Sequence, residues 1–418
     1  MKNMDNLTLI LAGGNGTRLS VLTKETPKPA INFGGSYRLI DFTLSNCKHS
    51  NVGDIGLITQ YCQKDLANYV GSGSQWLPEN GDAKLTILSP RTKNGIIEFY
   101  KGTADAILRN TDFIEQYNPR NILVLAGDHV YKMDYSKMLE EHENSRAAVT
   151  IAAKIVPIYD ASRFGIMDVD RNNEIIRFEE KPRRPKSNLA SMGVYVFNWA
   201  ILKNYLINSS MEPESGMDIG SDIIPEMIMT GEKLAAYMFN GYWKDVGDIR
   251  TLWEASMELL SDPPSIRLNG DGWDIISRNN CARPHQKHSY SKNGHIVNAL
   301  VTEDSIVRGT VMRSVISSDV EIGEDAKVVD SVIMPGAKIG RGSFILKSII
   351  GSNAIVDEYT AIGDVTPDGK RLDNYQGISV VGNEVNVCTR IGLSRLSSAA
   401  DFFLPQTNRG FCFDVQAR

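Results

Sequence analysis

The stretch LILAGGNGTRL, residues 9–19, joins a short apolar strand to a glycine-rich turn. Arg18 lies at the end of this turn, and Lys28 follows within the sequence TPKPA. Glycines let the backbone approach a phosphate closely because no Cβ intervenes, and the N–H groups exposed at such a turn bind anions. Arg18 and Lys28 add positive charge near those groups. The segment therefore predicts a site that binds and neutralises a polyphosphate.

The turn differs from two common phosphate-binding loops. A P-loop has Lys-Ser or Lys-Thr after its last glycine, and the dinucleotide-binding fingerprint has a third glycine at the position of Leu19. This chain has neither feature. The remaining pattern resembles the G-x-G-T/S-R-L signature of the sugar-phosphate nucleotidyltransferases, which is followed by Lys-Pro. The alternative interpretation is an ordinary strand-to-helix turn.

Composition limits the classes of protein to which the chain can belong. Its 418 residues are 42% hydrophobic, which predicts two or three domains with sizeable cores. The net charge of −5 disfavours nucleic acid as a partner. The five cysteines lack metal-site or redox-motif spacing, as expected of a reduced cytosolic protein. We find no signal-peptide or membrane-spanning pattern and expect a cytoplasmic protein without membrane attachment.

Residues 1–260 alternate short β-rich runs with helical patterns, which is typical of βαβ units on a mostly parallel sheet. We therefore predict an α/β, Rossmann-like catalytic domain here. Residues 261–290 mix Pro, Gly, Asn and Asp and are interpreted as an interdomain linker. The predicted strands are Ile55–Thr59, Ile122–Ala126 and Met192–Phe197, and the predicted helices are Thr103–Tyr117, Ser136–Asn144 and Ile249–Leu260.

A different repeat begins after the linker. Aliphatic residues recur every five or six positions, with glycines and small polar residues between them. This period predicts a hexapeptide-repeat parallel β-helix over residues 291–387, with each aliphatic side chain pointing inward; a β-rich sandwich is the alternative. Residues 388–418 show no repeat, and we assign them no role. The recurring residues are Leu300, Ile306, Val311, Ile316, Ile322, Val328, Ile333, Ile339, Ile345 and Ile350.

Two aspartates are candidate metal ligands. Asp128 directly follows the apolar run of a predicted strand, and ligands of open α/β sheets bind at the carboxyl ends of strands. Asp245 lies between aromatic residues and glycines in GYWKDVG. Two carboxylates can hold one Mg²⁺ against a triphosphate. The alternative for each aspartate is a turn residue or a helix cap.

Other polar segments suggest contacts to a sugar and a nucleoside. Glu180 has the oxygens to accept bonds from sugar hydroxyls, and Lys181 can pair with a sugar phosphate, although a solvated charge run is the alternative. Gly102 precedes a predicted helix with Thr103 as N-cap, and it allows close approach of a base or ribose. Gln60 has the amide needed to read an adenine edge. No Ser-His-Asp or Cys-His arrangement emerges.

Together these segments resemble the ADP-glucose pyrophosphorylases (glucose-1-phosphate adenylyltransferases) of the bacterial type, from about Leu7 to about Val387. The family's C-terminal domain is a left-handed β-helix, so the resemblance implies that handedness here. It implies the reaction of ATP with α-D-glucose 1-phosphate to ADP-glucose and pyrophosphate, the activated-glucose step of glycogen synthesis. The matching motifs are AGGNGTRL (12–19), FGGSYRLIDF (33–42), YKGTADA (100–106), GDHVYKMDY (127–135), SRFG (162–165), EEKP (179–182), ASMGVY (190–195) and YWKDVG (242–247).

The resemblance implies a role for each matched residue. Asp128, Arg18 and Lys28 would form the catalytic group, with Mg²⁺ bound by Asp128 and Asp245. The ATP-binding residues would be Gly13, Gly14, Gln60, Tyr100 and Gly102, with Arg18 and Lys28 also contacting the phosphates. The residues for glucose 1-phosphate would be Tyr100, Gly165, Glu180, Lys181, Ser191 and Gly193.

Some questions stay open at the level of sequence. The triphosphate could be UTP, dTTP or GTP with another sugar 1-phosphate, and some members of the family are weakly catalytic regulatory subunits. A β-helix acyltransferase is disfavoured because no histidine lies between Leu300 and Val356. The resemblance implies a homotetramer or a hetero-oligomer with a related subunit. Relatives activated by fructose bisphosphate carry a lysine where this chain has Glu25, so we expect a weak response to that effector.

Overall fold

A computed structural model of the protein describes residues 5–14, 16–61, 63–79, 83–93, 95–212, 215–278, 285–291, 294–363 and 377–388. Contacts divide the chain into two units, the first formed by residues 1–15, 27–30 and 39–243 and the second by residues 16–26, 31–38 and 244–418. The glycine-rich segment is therefore shared between the units, which differs from the predicted single domain over residues 1–260. Of the predicted tail, 388–418, all but Cys388 lies outside the described residues.

Within the residues that the structure describes, the first unit contains seven α-helices and most of the strands up to Trp243. Its helices are α1 (Leu39–His49), α2 (Gln63–Val70), α3 (Thr103–Leu108), α4 (Thr111–Tyr117), α5 (Tyr135–Ser145), α6 (Trp199–Met211) and α7 (Ile224–Met229). The strands from the N-terminus onward are β1 (Asn6–Ala12), β2 (Asn32–Phe33), β3 (Tyr37–Arg38), β4 (Ile55–Thr59), β5 (Leu85–Leu88), β6 (Thr92–Lys93), β7 (Ile96–Ile97), β8 (Asn121–Ala126), β9 (His129–Tyr131), β10 (Val149–Ile155), β11 (Gly165–Val169), β12 (Ile175–Glu180), β13 (Leu189–Asn198), β14 (Leu234–Met238) and β15 (Trp243–Asp245). Within the described ranges, no helix is long and apolar enough to cross a membrane.

In the part of the chain that the structure describes, a nine-stranded sheet forms the centre of the first unit, in the order β12-β11-β13-β8-β1-β4-β5, with β10 pairing with β13 and β14 pairing with β10. Strand β1 is parallel to β4 on one side and to β8 on the other. Antiparallel pairs occur where β13 meets β8, β10 and β11. Strand β1 is almost wholly buried, as expected for a run of aliphatic residues in a sheet covered on both faces. The predicted mostly parallel α/β sheet is confirmed.

The predicted helix Thr103–Tyr117 is wrong in its continuity, because two helices separated by Arg109 and Asn110 occupy this stretch. The side-chain amide of Asn110 donates to the Ala106 carbonyl at 2.7 Å. Asparagine side chains compete in this way with the backbone bonds of a helix. Thr103 is the first helical residue and Gly102 is the N-cap, so the predicted cap is wrong by one position.

The second unit contains α8 (Ile249–Glu258) and a stack of short parallel strands. Register pairs such as Val311 with Val328 and Ile345 with Ile362 repeat along one face of the stack, which is consistent with the predicted left-handed β-helix. The predicted linker, 261–290, overlaps β16, which pairs with β17. The strands are β16 (His285–Ser291), β17 (Gly294–Val301), β18 (Ile306–Val307), β19 (Thr310–Met312), β20 (Val315–Ile316), β21 (Glu321–Ile322), β22 (Lys327–Val329), β23 (Val332–Ile333), β24 (Lys338–Ile339), β25 (Phe344–Leu346), β26 (Ser348–Ile350), β27 (Ile355–Val356), β28 (Ala361–Ile362), β29 (Ser379–Val381) and β30 (Asn386–Val387).

The inward-pointing positions of the β-helix follow the predicted period except at Ile306, which lies between the buried residues Leu300 and Val311. The residues from Val311 to Ile350 in the predicted set are buried. Ile306 is 45% exposed, and its neighbour Val307 packs against the core instead. The prediction for Ile306 is therefore wrong. Strand β18 has only two residues. Successive side chains of a strand point to opposite faces, so only one of the two can face inward.

The buried His142 makes the stability of the fold depend on pH. Its Nδ1 lies 2.8 Å from the hydroxyl of Thr150. Burial, followed by the nearby charge of Arg120, lowers the pKa of His142 from 6.5 to about 4. Between pH 6.5 and pH 4, His142 binds a proton in the unfolded chain but stays neutral in the folded chain. The neutral His142 therefore contributes its full stabilisation of the fold above pH 6.5, and this stabilisation is lost as the pH falls towards 4.

We expect this loss to reach about 3 kcal/mol. Urea unfolding at pH 7.5 and 4.5 measures it, with His142→Gln as the non-titrating control. The variant should lose less stability between the two pH values than the parent protein. An equal loss in both proteins would contradict the assignment to His142.

Candidate active site

The carboxyl ends of three neighbouring strands meet at one edge of the central sheet. Ala12 at the end of β1 pairs with Thr59 at the end of β4, and Leu11 pairs with Ala126 at the end of β8. Gly13, Gln60 and Asp128 follow these strands directly or within two residues. Strand β1 has β4 as its neighbour on one side and β8 on the other, so the strand order reverses direction at β1. Open α/β sheets bind ligands at such a topological switch point, at the carboxyl ends of the strands.

An ion pair between Lys28 and Asp128 lies at this edge. Lys28 Nζ is 2.7 Å from Asp128 Oδ2, and the side chains are 11% and 22% exposed. Lys28 begins a short 3-10 turn, Lys28–Ala30, whose residues are buried. The hydroxyl of Thr43 on α1 donates to the Ala126 carbonyl at 2.8 Å, which holds the end of β8. A lysine and a carboxylate are thus fixed together with limited access to solvent.

His129 and Trp243 lie beside Asp128, and the sequence did not predict this arrangement. Trp243 Nε1 donates to His129 Nδ1 at 3.3 Å, so the remaining ring proton is on Nε2, which lies 3.5 Å from Asp128 Oδ1. The Trp243 ring also packs against Phe164, with centroids 5.1 Å apart. The adjacency of Asp128 and His129 was the only available signal, because nothing in the sequence relates His129 to the distant Trp243.

Gln60 and Tyr100 are brought together although 40 residues separate them. The backbone N–H of Tyr100 donates to Gln60 Oε1 at 2.6 Å. The phenol of Tyr100 accepts from Asn110 at 3.2 Å, and burial raises its pKa. A Cβ at Gly13 would lie 3.2 Å from Gln60 Cβ, so Gly13, Gln60 and Tyr100 form one group. At the exposed Gly14, a Cβ would meet nothing within 4 Å.

The requirement for glycine at position 102 has a structural explanation. A Cβ there would lie 2.4 Å from the Met217 carbonyl oxygen. That carbonyl accepts bonds from the N–H groups of Ala104 and Asp105 at 2.8 and 3.1 Å. The hydroxyl of Thr103 donates to Asp218 Oδ2 at 2.9 Å. The packing of this backbone accounts for Gly102 without a ligand, and its predicted contact to adenosine stays a prediction.

Glu180 is the last residue of the edge strand β12, and Lys181 follows it. Lys181 Nζ bonds Glu180 Oε1, and the Lys181 N–H donates to the Phe164 carbonyl at 3.0 Å. A Cβ at Gly165 would lie 2.8 Å from Glu180 Oε2. At Gly220 the corresponding distance to Glu180 Oε2 would be 2.6 Å. The two glycines, Gly165 and Gly220, therefore let two backbone segments lie close to the Glu180 carboxylate.

A bulge in β13 places Ser191 and Gly193 near the Asp128 group. The register of β13 against β10 shifts between Ser191 and Tyr195, and Gly193 has a φ of 67° there. Ser191 Oγ donates to the phenol of Tyr195 and accepts from the Gly193 N–H, each at 3.3 Å. Burial raises the pKa of Tyr195 above its ordinary value. A Cβ at Gly193 would lie 3.4 Å from His129 Cε1, which connects the two groups.

Arg18 and Asp245 belong to the second unit. Arg18 is exposed on the 3-10 turn Thr17–Leu22. Asp245 is half-buried at the end of β15. Among the described residues, no group of three or more His, Cys, Asp or Glu side chains has the arrangement of a metal site.

Two family models match the chain, one after the other along the sequence. Residues 7–262 match the family model described as nucleotidyl transferase, and residues 282–381 match the one described as GlmU-like, C-terminal hexapeptide. The glucose-1-phosphate adenylyltransferase of Bacillus cytotoxicus is 45% identical over 375 residues, which cover 90% of this chain and 98% of that protein. The enzyme of the same name from Bacillus anthracis is 46% identical over 357 residues, or 85% of this chain and 94% of that protein.

Proposed function

Because the chain belongs to the glucose-1-phosphate adenylyltransferase family, we propose that it transfers the adenylyl group of ATP to glucose 1-phosphate and releases pyrophosphate. The product, ADP-glucose, is an activated glucosyl donor suited to glycogen synthesis. The observation that carries the proposal is the Lys28–Asp128 ion pair, 2.7 Å long, at the switch point of a nucleotidyltransferase sheet.

The polar groups at this edge suit adenylyl transfer. A phosphate monoester is already a nucleophile, so its oxygen can attack the α-phosphorus in line and expel pyrophosphate without a strong base. Catalysis then depends on positioning and on neutralising negative charge. Lys28 and Arg18 provide positive charge for the triphosphate, and Lys181 pairs with the sugar phosphate. Gly13, Gln60 and Tyr100 form the nucleoside side of the site.

We propose that Mg²⁺ is bound by Asp128 and Asp245 together with phosphate oxygens. Mg²⁺ in proteins commonly takes one or two carboxylates plus substrate phosphates. Asp128 fits this role because its carboxylate follows a strand end and is 22% exposed. When bound, the ion would neutralise charge on the triphosphate. Lys28 and His129 then hold the carboxylate of Asp128 in one orientation from two sides.

A panel of triphosphates tests the proposal. Purified protein is incubated with Mg²⁺, glucose 1-phosphate and each of ATP, UTP, GTP and dTTP, and pyrophosphate release is measured. We expect release with ATP and little with the other three. Preference for another triphosphate would contradict the adenylyl assignment. Absence of release with every triphosphate would favour a regulatory subunit that needs a catalytic partner. Sedimentation of the same sample tests whether the chain alone forms a homotetramer or needs a related subunit to assemble.

The exposed carboxylate of Glu25 predicts a weak response to a sugar bisphosphate, because like charges repel. We expect less than twofold activation by millimolar fructose 1,6-bisphosphate. Glu25→Lys should increase the response if the charge at this position decides it, with Lys24→Arg as the control that keeps the neighbouring charge. Several-fold activation of the unaltered protein would contradict this prediction.

A further inference from the structure

Successive turns of the β-helix stack into one continuous corner, formed by residues 318–319, 335–336, 352–353 and 383–384. Each turn is bonded to the one before it. The Gly336 N–H donates to the Ser318 carbonyl at 2.9 Å, and the Glu384 N–H donates to the Ser352 carbonyl at 2.8 Å. Asn353 makes the same bond to Pro335 at 2.9 Å. The corner therefore forms a regular row of turns along the stack.

The segment that surrounds the predicted phosphate-binding lysine is bonded to this corner at three points in the second unit. The Ser318 N–H donates to the Gly35 carbonyl at 3.4 Å. Asn32 Nδ2 donates to the hydroxyl of Ser352 at 3.2 Å. The third bond, from Asn383 Nδ2 to the Leu22 carbonyl, is 3.3 Å long. The contacts advance along the coils as the segment runs backwards from residue 35 to residue 22.

Asn383 makes the contact at the last coil specific. Its Oδ1 accepts from the Ser352 N–H at 3.0 Å, which orients the amide so that Nδ2 faces Leu22. A Cβ at Gly382 would lie 3.2 Å from Val21 Cβ, closer than ordinary van der Waals contact. The Gly382 backbone therefore lies close to the Val21 side chain.

The carbonyl held by Asn383 belongs to the turn that carries Arg18. Leu22 ends the 3-10 turn that begins at Thr17. The Leu19 N–H and the hydroxyl of Thr23 both bond the Gly16 carbonyl, each at 2.8 Å. These bonds close residues 16–23 into a compact loop, so a constraint on Leu22 also constrains Arg18.

We propose that Asn383 is a positioning residue for ATP binding, acting through Leu22 on the loop that carries Arg18. The role of Arg18 in this inference rests on the proposed function. If Asn383 acts in this way, a residue of the β-helix contributes to the affinity for ATP. Loss of the Nδ2 bond frees the loop to adopt other conformations. The apparent affinity for ATP is then the intrinsic affinity multiplied by the fraction of molecules in which the loop has the conformation that binds ATP.

Asn383→Asp separates this role from the stability of the coil. Aspartate keeps the acceptor for the Ser352 N–H but replaces the donor to Leu22 with a carboxylate oxygen, which repels the Leu22 carbonyl. We expect the KM for ATP to rise about two- to tenfold, the range for loss of one hydrogen bond, while the KM for glucose 1-phosphate and the Tm stay close to those of the parent protein. Hydrogen exchange of the amides in residues 16–26 should become faster.

Ser331→Ala is the matched control. The Ser331 hydroxyl donates to Val329 and accepts from the Ser348 N–H at 2.7 and 3.0 Å, so its loss weakens the coils without touching the loop. We expect a lower Tm with an unchanged KM for ATP. An equal rise in KM for this control, or unchanged exchange of residues 16–26 in Asn383→Asp, would overturn the proposal. The exchange measurement needs no activity, so it decides the positioning role even if the proposed function fails.

Discussion

Asp128→Asn is expected to lower kcat for pyrophosphate release by about 10²- to 10³-fold, the effect of removing one charged group from a site that stabilises a transition state. Asparagine has nearly the same shape, so packing at the end of β8 should persist. The Lys28 ammonium, 11% exposed and 2.7 Å from the carboxylate, would lose its counter-ion. Removing one partner of a buried ion pair is costly, which adds to the loss of the proposed metal ligand.

Asp134→Asn is the control for this variant. Asp134 caps α5 by accepting from the Ser136 N–H at 3.0 Å, and asparagine caps a helix equally well. Its kcat should equal that of the parent protein. Titration with Mg²⁺ separates the two roles of Asp128, because loss of a metal ligand raises the concentration needed for half-maximal activity. A kcat within threefold of the parent protein would contradict both roles.

The sequence predicted those parts of the candidate site that consist of residues directly following a strand. Gly13, Gln60 and Asp128 could be assigned to one edge of the sheet because parallel strands present their carboxyl ends together. The sequence could not show that Lys28 pairs with Asp128, because that contact depends on the path of the chain between them. Trp243 was missed for the same reason, since a tryptophan far along the chain has no local relation to His129.

Gly102 illustrates a second limit of sequence analysis. A glycine before a helix suggests space for a ligand, but the space beside Gly102 is occupied by the Met217 carbonyl. A sequence records that a side chain is absent and does not record what fills its place. Asn110 shows the converse, since its side chain divides a predicted helix by bonding one backbone carbonyl. Such a bond depends on the rotamer of the side chain, and the spacing of apolar residues in a sequence gives no information about rotamers.

The β-helix was more predictable because each coil repeats the same environment. An aliphatic residue at a fixed interval meets its equivalents in the coils before and after, as Ile333 does with Ile316 and Ile350. The repeat fails where Val307 pairs with the buried Ile322 in β21, because the preceding Ile306 then pairs with Glu321 and faces outward. Its side chain is 45% exposed there. The period thus predicts the spacing between coils better than it predicts which of two adjacent residues in a strand faces inward.

This difference predicts unequal effects of the same substitution. Ile333 is fully buried between two coils, so Ile333→Ala removes apolar contacts on both sides and leaves a cavity. We expect the free energy of unfolding of the β-helix to fall by about 2–5 kcal/mol. Ile306→Ala should change it by about 0.5 kcal/mol or less, because exposed apolar atoms gain little from folding.

Urea unfolding followed by circular dichroism compares the two variants, and hydrogen exchange of residues 326–350 locates the change. Exchange should accelerate in the coils on both sides of Ile333 and remain unchanged for Ile306→Ala. Equal destabilisation by the two substitutions would mean that Ile306 also contributes to the core. Because stacked coils contact mainly their neighbours, stability is close to a sum over adjacent pairs. The cost of a truncation should therefore depend on how many coils the side chain touches.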